Sequence, residues 1–295
     1  MNREMSYLLG MICGNGEIKR GAIETTISIE IPHKKLATEN NNDVRIYVRA
    51  SITDIRTVLE PLIGTGLNFT QQDNYSIISF TKRNDEYMMR EILRYTGNAV
   101  SHENIRIDEE IFAFTRDEKI SFLQGFADVT GYIRRSNYFF KTYMHRVYLE
   151  VPHNWHLVSD VCQLLKDVNI PVQAIDWAHP NMRDGNLVKY NEGKPDFWKK
   201  EHQIKIWANE FLPIGFAVLH KREALTQFAI ELVDGIKSEG KNPENVTHKF
   251  YWEGKGKNKV KPHHPGENDA FIPSEIRGRH YDSWKQIAKD LGYEE

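Results

Sequence analysis

The sequence predicts an α+β protein of two pseudo-symmetric αββαββα repeats, in which antiparallel sheets form a saddle and two apolar helices pack at its centre. One observation is a stretch that occurs twice, because residues 7–18 (YLLGMICGNGEI) align without gaps on residues 122–133 (FLQGFADVTGYI). Another is that a strand ends in the same way in each half, as IEIPH at 29–33 and LEVPH at 149–153. The third is the order of the predicted elements, which the second half repeats.

The first half begins with the motif helix at 3–14, an apolar run interrupted by glycine. Residues 23–31 alternate between apolar and polar side chains, which predicts a half-buried strand that Pro32 ends. A helix is predicted at 51–63, because Ser51 can cap it and apolar residues recur at helical spacing after it. The remaining elements are an extended segment from residue 17, strands at 45–49, 67–70 and 75–81, a helix at 84–95, and a connector at 98–114 with strand character at 105–107.

The second half begins with the second motif helix at 117–128, which an extended segment follows as far as residue 137. Alternating side chains predict a strand at 145–151, ended by Pro152. The elements after it are a helix at 154–168, a strand at 170–177, a polar loop at 179–200, a strand at 203–208, and a helix at 221–234 that Gly235 ends. We therefore predict three regions, which are a first repeat at 1–115, a second repeat at 116–237, and an extension at 238–295 with a lysine-rich loop at 241–265 and an amphipathic helix at 281–291.

The composition is typical of a globular protein, with 40% hydrophobic and 27% charged residues among 295. A net charge of -2 gives no overall attraction to nucleic acid, so DNA binding requires a local basic surface. No apolar run is long enough to cross a membrane, and the polar N-terminus does not have the pattern of a signal peptide. Cys13 and Cys162 lie in apolar helical contexts and are expected to be buried free thiols. We therefore expect a cytoplasmic protein without membrane association.

Glycine in the middle of both motif helices requires an explanation, because it costs roughly 1 kcal/mol relative to alanine inside a helix. The simplest explanation is that Gly10 and Gly125 let the two helix backbones pack closely together. The helix pair would then form the interface between the two halves. It would bring Asn15 and Thr130 side by side at one surface, where such residues hold a metal or cap the helices.

The nonapeptides at 8–16 (LLGMICGNG) and 123–131 (LQGFADVTG) resemble the two motifs of single-chain LAGLIDADG homing endonucleases, and the resemblance extends over residues 5–235. It implies a monomer with internal pseudo-two-fold symmetry, whose sheets lie along the major groove of double-stranded DNA so that strand residues contact base edges. It also implies Mg²⁺-dependent hydrolysis of both DNA strands. In the family, an acidic residue beside the last glycine of each motif binds the metal, which activates water.

The sequence departs from this pattern at the acidic positions, which are Asn15 and Thr130. Both offer a neutral oxygen, whereas Mg²⁺ prefers carboxylates. Glu17 and Asp128 lie two residues away and are candidates for displaced catalytic and metal-binding carboxylates. Asp128 can equally be a helix-end residue bonded to backbone, and Glu17 a solvated strand residue. We expect a sequence-specific DNA-binding protein that acts as an endonuclease with an altered active site; the alternatives are a catalytically inactive DNA-binding regulator and an RNA maturase-like splicing cofactor.

Basic residues after each motif are candidate DNA contacts. Lys19 and Arg20 follow the first motif, and Arg134 and Arg135 occupy the equivalent positions after the second. On a sheet that faces DNA they would contact phosphates or guanine edges; the other possibility is that they are solvated strand ends. Further basic residues extend this set, and they are Arg45, Arg49, Lys82, Arg83, Lys141, Arg146 and Lys205. Of these, Arg45, Arg49, Arg146 and Lys205 are also predicted DNA contacts.

Overall fold

The computed structural model describes residues 2–38, 44–135, 145–152, 154–172, 174–179 and 201–238, and two units of similar element order follow each other within them. The first unit consists of α1 (Arg3–Asn15), β1 (Gly16–Arg20), β2 (Glu24–Pro32), a short α2 (His33–Leu36), α3 (Val44–Ile63), β3 (Asn68–Gln71), β4 (Tyr75–Arg83) and α4 (Tyr87–Thr96). The second unit consists of α5 (Arg116–Thr130), β5 (Gly131–Arg135), β6 (His145–Pro152), α6 (Trp155–Asp167), β7 (Ala174–His179), β8 (Glu201–Trp207), a short α7 (Ala208–Phe211) and α8 (Leu219–Ser238).

Each unit contains one four-stranded antiparallel sheet, and the two sheets have the same strand order. The first sheet runs β1-β2-β4-β3 and the second runs β5-β6-β8-β7. The pairing registers also match, since Gly16 pairs with Ile29 in the first sheet and Gly131 pairs with Leu149 in the second. The α+β class and the repeated order of elements predicted from the sequence are therefore confirmed.

Side chains along the central strands alternate between a face packed on helices and a face turned away from them. Ile27 and Ile29 on β2 and Val147 and Leu149 on β6 are fully buried, with α1 against β2 and α5 against β6. Neighbouring residues in a strand point to the opposite side, which we call the outer face of each sheet. The outer face of the first sheet carries Glu17, Lys19, Thr26, Ser28, Glu30, Ile77, Ser79 and Thr81, and the equivalent positions of the second carry Tyr132, Arg134, Arg146, Tyr148, Glu150, Gln203, Lys205 and Trp207.

The predicted strand at 45–49 is wrong, because these residues form the beginning of α3. Val48 is buried together with Ile55 and Leu59, all at helical spacing. The apolar stripe recognised after Ser51 therefore begins earlier, and the helix begins with it. Alternation over five residues is too short to distinguish a strand from the start of such a stripe.

Smaller differences concern the ends of elements. Residues 105–107 are not part of a strand; instead the backbone N–H of Ile107 donates to Asp160 on α6, at 3.0 Å. Helix α8 continues through Gly235, and β7 begins at Ala174 rather than at residue 170. Of the predicted loop at 179–200, His179 belongs to β7 and the remaining residues lie outside the described residues. The predicted loop at 241–265 and the predicted helix at 281–291 also lie outside them. The region boundaries at residues 115 and 237 stay predictions.

Both cysteines are free and buried, as the sequence predicts. Burial raises the pKa of the Cys13 and Cys162 thiols, so the reactive thiolate form is disfavoured. Among the described residues, no helix combines the length and the apolar character needed to cross a bilayer. The cytoplasmic location stays a prediction.

Candidate nucleic-acid interface

Helices α1 and α5 pack with their backbones in contact, and a glycine of each helix lies at the contact. A β-carbon at Gly10 would stand 2.8 Å from the carbonyl carbon of Phe122, and one at Gly125 would stand 2.8 Å from that of Tyr7. Real β-carbons essentially never come within 3.0 Å of such atoms, so only glycine fits at either position. The close packing predicted from the two helix glycines is confirmed.

The C-terminal ends of the two helices meet at a cleft. A β-carbon at Gly14 would lie 3.0 Å from the side chain of Thr130, so the ends of α1 and α5 are adjacent. The cleft has a volume of about 920 Å³, and both Asn15 and Thr130 line it. Further lining residues come from both repeats and include Glu30, His33, Lys34, Lys35 and Glu150.

Asn15 and Thr130 use their polar atoms for the local fold. The Asn15 side-chain amide donates to the backbone carbonyl of Glu30, at 2.8 Å. The Thr130 hydroxyl donates to the backbone carbonyl of Phe126, one helical turn earlier, at 2.7 Å. To a metal ion, each of these side chains can still offer the lone pairs of one neutral oxygen.

Asp128 lies inside the protein, because its helix position turns it away from the cleft and towards the segment before α8. The side chain is fully buried, and its Oδ2 accepts hydrogen bonds from the Tyr7 hydroxyl and the Ala217 N–H, both at 2.9 Å. Burial raises the pKa of this carboxyl in spite of the nearby Lys221 ammonium. Our prediction that Asp128 serves as a displaced metal ligand therefore needs correction, since its surroundings are those of a structural carboxylate.

Lys221 explains why this carboxylate is tolerated. The Lys221 Nζ lies 3.9 Å from Asp128 Oδ1 and donates to the carbonyls of Ala127, Asp128 and Gly131, at 3.3, 3.3 and 2.9 Å. These carbonyls belong to the end of α5, where helix C-termini have unsatisfied acceptors and favour positive charge. Burial lowers the pKa of Lys221 to about 8.

Glu17 remains a candidate metal-binding carboxylate because of its position. It is exposed on the outer face of β1 and pairs in register with Ser28 of β2. On the opposite edge of β1 it forms an isolated antiparallel β-bridge with Ser101. Glu30 is exposed on β2 at a position diagonal to Glu17, a separation that long side chains can span. In the sequence, Glu30 is visible only as part of the repeated strand end at 29–33, and its place as a second carboxylate next to Asn15 was not predicted.

The predicted basic pairs divide between the two faces of each sheet, because neighbouring strand residues point to opposite sides. Lys19 and Arg134 are exposed on the outer faces, at equivalent positions. Arg20 instead turns to the helix layer, where its guanidinium donates to the backbone carbonyl of Gly97 after α4.

Arg135 also belongs to the helix side of its sheet. It pairs in register with His145, and cross-strand partners share a face. The His145 ring stacks on Phe228 of α8, with centroids 3.7 Å apart. Only one member of each basic pair therefore lies on an outer face, and contact of these residues with DNA stays a prediction.

The other predicted basic residues lie in two kinds of position. Arg146 and Lys205 are on the outer face of the second sheet but only 6% and 7% exposed, and the Arg146 guanidinium lies over the Trp207 ring at 4.4 Å. Arg49 is exposed on α3, and Arg45 belongs to the same helix, so these two are not strand residues. Sequence alternation identifies the strand face of Arg146 and Lys205 but does not show their burial.

A buried polar network on the second sheet was not predicted. The Glu150 Oε1 accepts hydrogen bonds from the Tyr132 hydroxyl at 2.9 Å and from the Gln203 amide at 2.8 Å. Its Oε2 pairs with the Lys35 ammonium, and Lys34 Nζ lies 3.8 Å away. A signal for Glu150 was present in the sequence, since a glutamate recurs in IEIPH and LEVPH, but nothing local indicated its lysine partners.

Asn15, Thr130, Glu150 and Asp128 do not provide a site for Mg²⁺. Asn15 and Thr130 provide neutral oxygens, Glu150 is neutralised by Lys35, and Asp128 is enclosed. In the part of the chain that the structure describes, no group of three or more His, Cys, Asp and Glu side chains is arranged to hold a metal ion. Mg²⁺ is usually held by one or two carboxylates together with phosphates and waters, so the second motif end offers a poor site for it, whereas at the first motif end Glu17 and Glu30 are exposed carboxylates of that kind.

Comparisons with known proteins give structural likeness at low sequence identity. No protein-family model matches the chain, and no curated protein matches it. The fold is similar to a variant of the homing endonuclease I-DmoI in complex with its target DNA in the presence of Mn, with 15% identity over 75% of this chain and 97% of that chain and a TM-score of 0.40. It is also similar to full-length DUF199/WhiA from Thermatoga maritima, with 16% identity over 83% of this chain and 64% of that chain and a TM-score of 0.39.

A third similar structure is the N-terminal LAGLIDADG domain of DUF199/WhiA, with 14% identity over 76% of this chain and 82% of that chain and a TM-score of 0.37. All three TM-scores are 0.40 or lower. At such low identity the likeness concerns the fold and not the activity.

Proposed function

We propose that this protein binds double-stranded DNA along the outer faces of its two sheets. The observation that carries this proposal is that Lys19 and Arg134 occupy equivalent positions in the two repeats and are both exposed on an outer face. Antiparallel strands fit the major groove, where lysine and arginine contact guanine edges or the adjacent phosphates. Arg146 and Lys205 lie on the same face of the second sheet but are only 6% and 7% exposed, so the proposal rests on Lys19 and Arg134 and not on them.

Binding without hydrolysis is the activity that agrees best with the motif ends. The two positions that would carry carboxylates are neutral, and Asp128 is held by Tyr7, Ala217 and Lys221 inside the protein. Fold and chemistry are separable, so a scaffold of this kind can keep its DNA-binding surface without a metal site. The regulator alternative of the sequence analysis is therefore our first candidate.

An endonuclease is the second candidate, and one observation favours it. Glu17 and Glu30 are exposed carboxylates on adjacent strands of the first sheet, and the Asn15 amide bonds to the backbone of Glu30. A divalent metal held there would stabilise the leaving oxygen of a phosphodiester. Because the second repeat lacks this arrangement, such an enzyme would cut one strand in preference to both.

We further propose that one chain binds one duplex, with residues 1–115 and 116–237 each contacting one half of the target. Both sheets belong to a single chain, so no second copy is needed to build the two halves of the surface. Light scattering of the complex should give one protein per duplex. A complex with two chains per duplex would contradict this arrangement.

The experiment that tests DNA binding is selection of bound duplexes from a random library, followed by affinity measurement over a range of salt concentrations. We expect enrichment of one sequence, and an affinity that falls linearly with salt on a logarithmic scale. Failure to retain any duplex would refute the proposal. Preferential retention of structured RNA would instead support the splicing-cofactor alternative.

A further inference from the structure

An ion pair joins the two repeats at the cleft. Lys35 comes from the short helix α2 of the first repeat, and its partner Glu150 lies on the outer face of the second sheet. The two side chains are only 3% and 2% exposed. The Lys35 ammonium also lies over the Tyr132 ring, 5.2 Å from its centroid. The first repeat therefore places a cation inside the second.

The surroundings of Glu150 are complete without a metal ion. One of its oxygens accepts hydrogen bonds from Tyr132 and Gln203, and the other faces the ammonium groups of Lys35 and Lys34. A buried carboxylate requires a positive partner and hydrogen bonds, and Glu150 has both. A divalent cation at Glu150 would have to displace Lys35, which would leave a buried ammonium beside a doubly charged ion.

The equivalent residue of the first repeat, Glu30, has different neighbours. It is exposed, and the positions equivalent to Tyr132 and Gln203 hold Glu17 and Ile77. Among the described residues, no lysine or arginine forms a salt bridge with Glu30. In the part of the chain that the structure describes, it is thus the second-repeat side of the cleft that receives a cation from the protein itself.

We propose that Lys35 takes the place of a metal cation at the second motif, and that the neighbouring Lys34 contacts a phosphate of the DNA backbone there without Mg²⁺. The Lys34 side chain is 40% exposed and lines the cleft together with Glu30 and Glu150, which belong to the two outer faces. Lysine binds phosphate as a compact point charge and needs no fixed geometry. This inference rests on the proposed function, because its ligand is the backbone of the bound duplex.

The first test measures the affinity of the full chain for its selected duplex by fluorescence anisotropy, in EDTA and in Mg²⁺ at equal ionic strength. We expect the two affinities to agree. We expect Lys34→Ala to weaken binding several-fold and to reduce the salt slope by about 1. Affinity that collapses in EDTA would overturn the inference.

Two variants control this test. Lys34→Arg keeps the charge and should retain most of the affinity. Arg90→Ala removes one exposed positive charge from α4, on the helix side of the first sheet, and should leave the affinity unchanged. If Lys34→Ala and Arg90→Ala have the same affinity and salt slope, Lys34 does not contact the backbone.

A second measurement separates this inference from DNA binding. Mn²⁺ titration followed by electron paramagnetic resonance, without DNA, should give the same uptake for the wild type and Glu150→Gln, since Lys35 already occupies that carboxylate. If Glu150→Gln does not fold, the double variant Lys35→Met, Glu150→Gln is measured in its place, because it removes both buried charges. A Mn²⁺ ion bound by the wild type and lost in these variants would overturn the Lys35 assignment, whether or not DNA binds. Absence of duplex binding in every condition, with identical Mn²⁺ curves, would refute the proposed function and the Lys34 contact but support the Lys35 assignment.

Discussion

Gly10 of α1 packs against the main chain of Phe122 in α5, and the same contact recurs with exchanged roles between Gly125 and Tyr7. Tyr7 and Phe122 occupy equivalent positions of the aligned motifs, so one contact is the pseudo-two-fold counterpart of the other. The helix pair thereby fixes where the motif ends meet. The relative position of Asn15 and Thr130, which follow these glycines on the two helices, depends on this contact.

We predict that Gly10→Ala destabilises the protein by about 3 kcal/mol, because the new methyl group overlaps backbone atoms that cannot move aside. Gly66→Ala is the matched control, since a β-carbon at Gly66 meets nothing within 4 Å, and it should change stability by less than about 0.5 kcal/mol. Urea denaturation of both variants gives the comparison. Equal stabilities of the two variants would show that the helices do not pack this closely in solution.

The parts of the fold that the sequence predicted are those with a repeated or periodic signal. Three features occur once in each half, so one copy supports the other. They are the motif helix, the glycine in the middle of it, and the strand end at 29–33 or 149–153. Residues 45–49 had no counterpart in the second half, and there the local alternation gave a strand where the longer apolar stripe forms a helix.

The site was harder to predict because its partners are far apart in sequence. Asp128 meets Lys221, and Glu150 meets Lys35, only after the chain has folded. The strand faces of Lys19 and Arg20 follow from alternation and were available from the sequence, but the burial of Arg146 was not. Tertiary neighbours, rather than residue types, distinguish a structural carboxylate from a catalytic one.

We predict that Lys221→Met destabilises the protein by about 3 to 5 kcal/mol, because it leaves the Asp128 carboxylate buried without a cation and removes the ammonium donor from three carbonyls at the end of α5. Adding Asp128→Asn should restore part of the loss. Arg222→Met, at the exposed neighbouring position, should have little effect. Denaturation midpoints measure all three, and a double variant no more stable than Lys221→Met would contradict the pairing.

The same lysine predicts a dependence of stability on pH. The pKa of Lys221 is lowered from 10.5 to about 8 in the folded protein, chiefly by burial. Between these values the unfolded chain holds a proton that the folded protein has released, so the contribution of this group to stability rises with pH across that window. Below pH 8 Lys221 is protonated in both the folded and the unfolded protein, so its contribution to the free energy of unfolding stays at its lowest value.

The measurement compares the unfolding free energies of the wild type and Lys221→Met at several pH values. We expect the difference between them to increase from about pH 8 to about pH 10, as the folded lysine loses its proton first. Other titrating groups occur in both proteins and largely cancel. A difference that is constant or decreases over this range would show that the pKa of Lys221 is not lowered.

Plasmid cleavage distinguishes the two candidate functions. We expect supercoiled plasmid that carries the selected site to stay intact with Mg²⁺ or Mn²⁺, because Asn15 and Thr130 provide no carboxylate and Lys35 neutralises Glu150. Conversion to the nicked form, abolished by Glu17→Ala or Glu30→Ala and retained in Asp128→Asn, would favour the endonuclease candidate and place its metal on the first sheet.

Adjacent arginines on opposite faces of β5 give the sharpest test of the DNA-binding surface. We predict that Arg134→Ala weakens duplex binding by about 1 to 3 kcal/mol if it contacts a guanine, and that it reduces the salt slope by about 1 if it contacts a phosphate. Arg135→Ala removes the same charge one residue away, on the opposite face of β5. The cross-strand partner of Arg135 is His145, which packs on α8, so this variant should bind as the wild type does. Lys19→Ala and Arg20→Ala repeat the comparison in the first repeat, where Arg20 already bonds to Gly97. Equal losses for both members of a pair would mean that net charge, and not the outer face of the sheet, determines affinity.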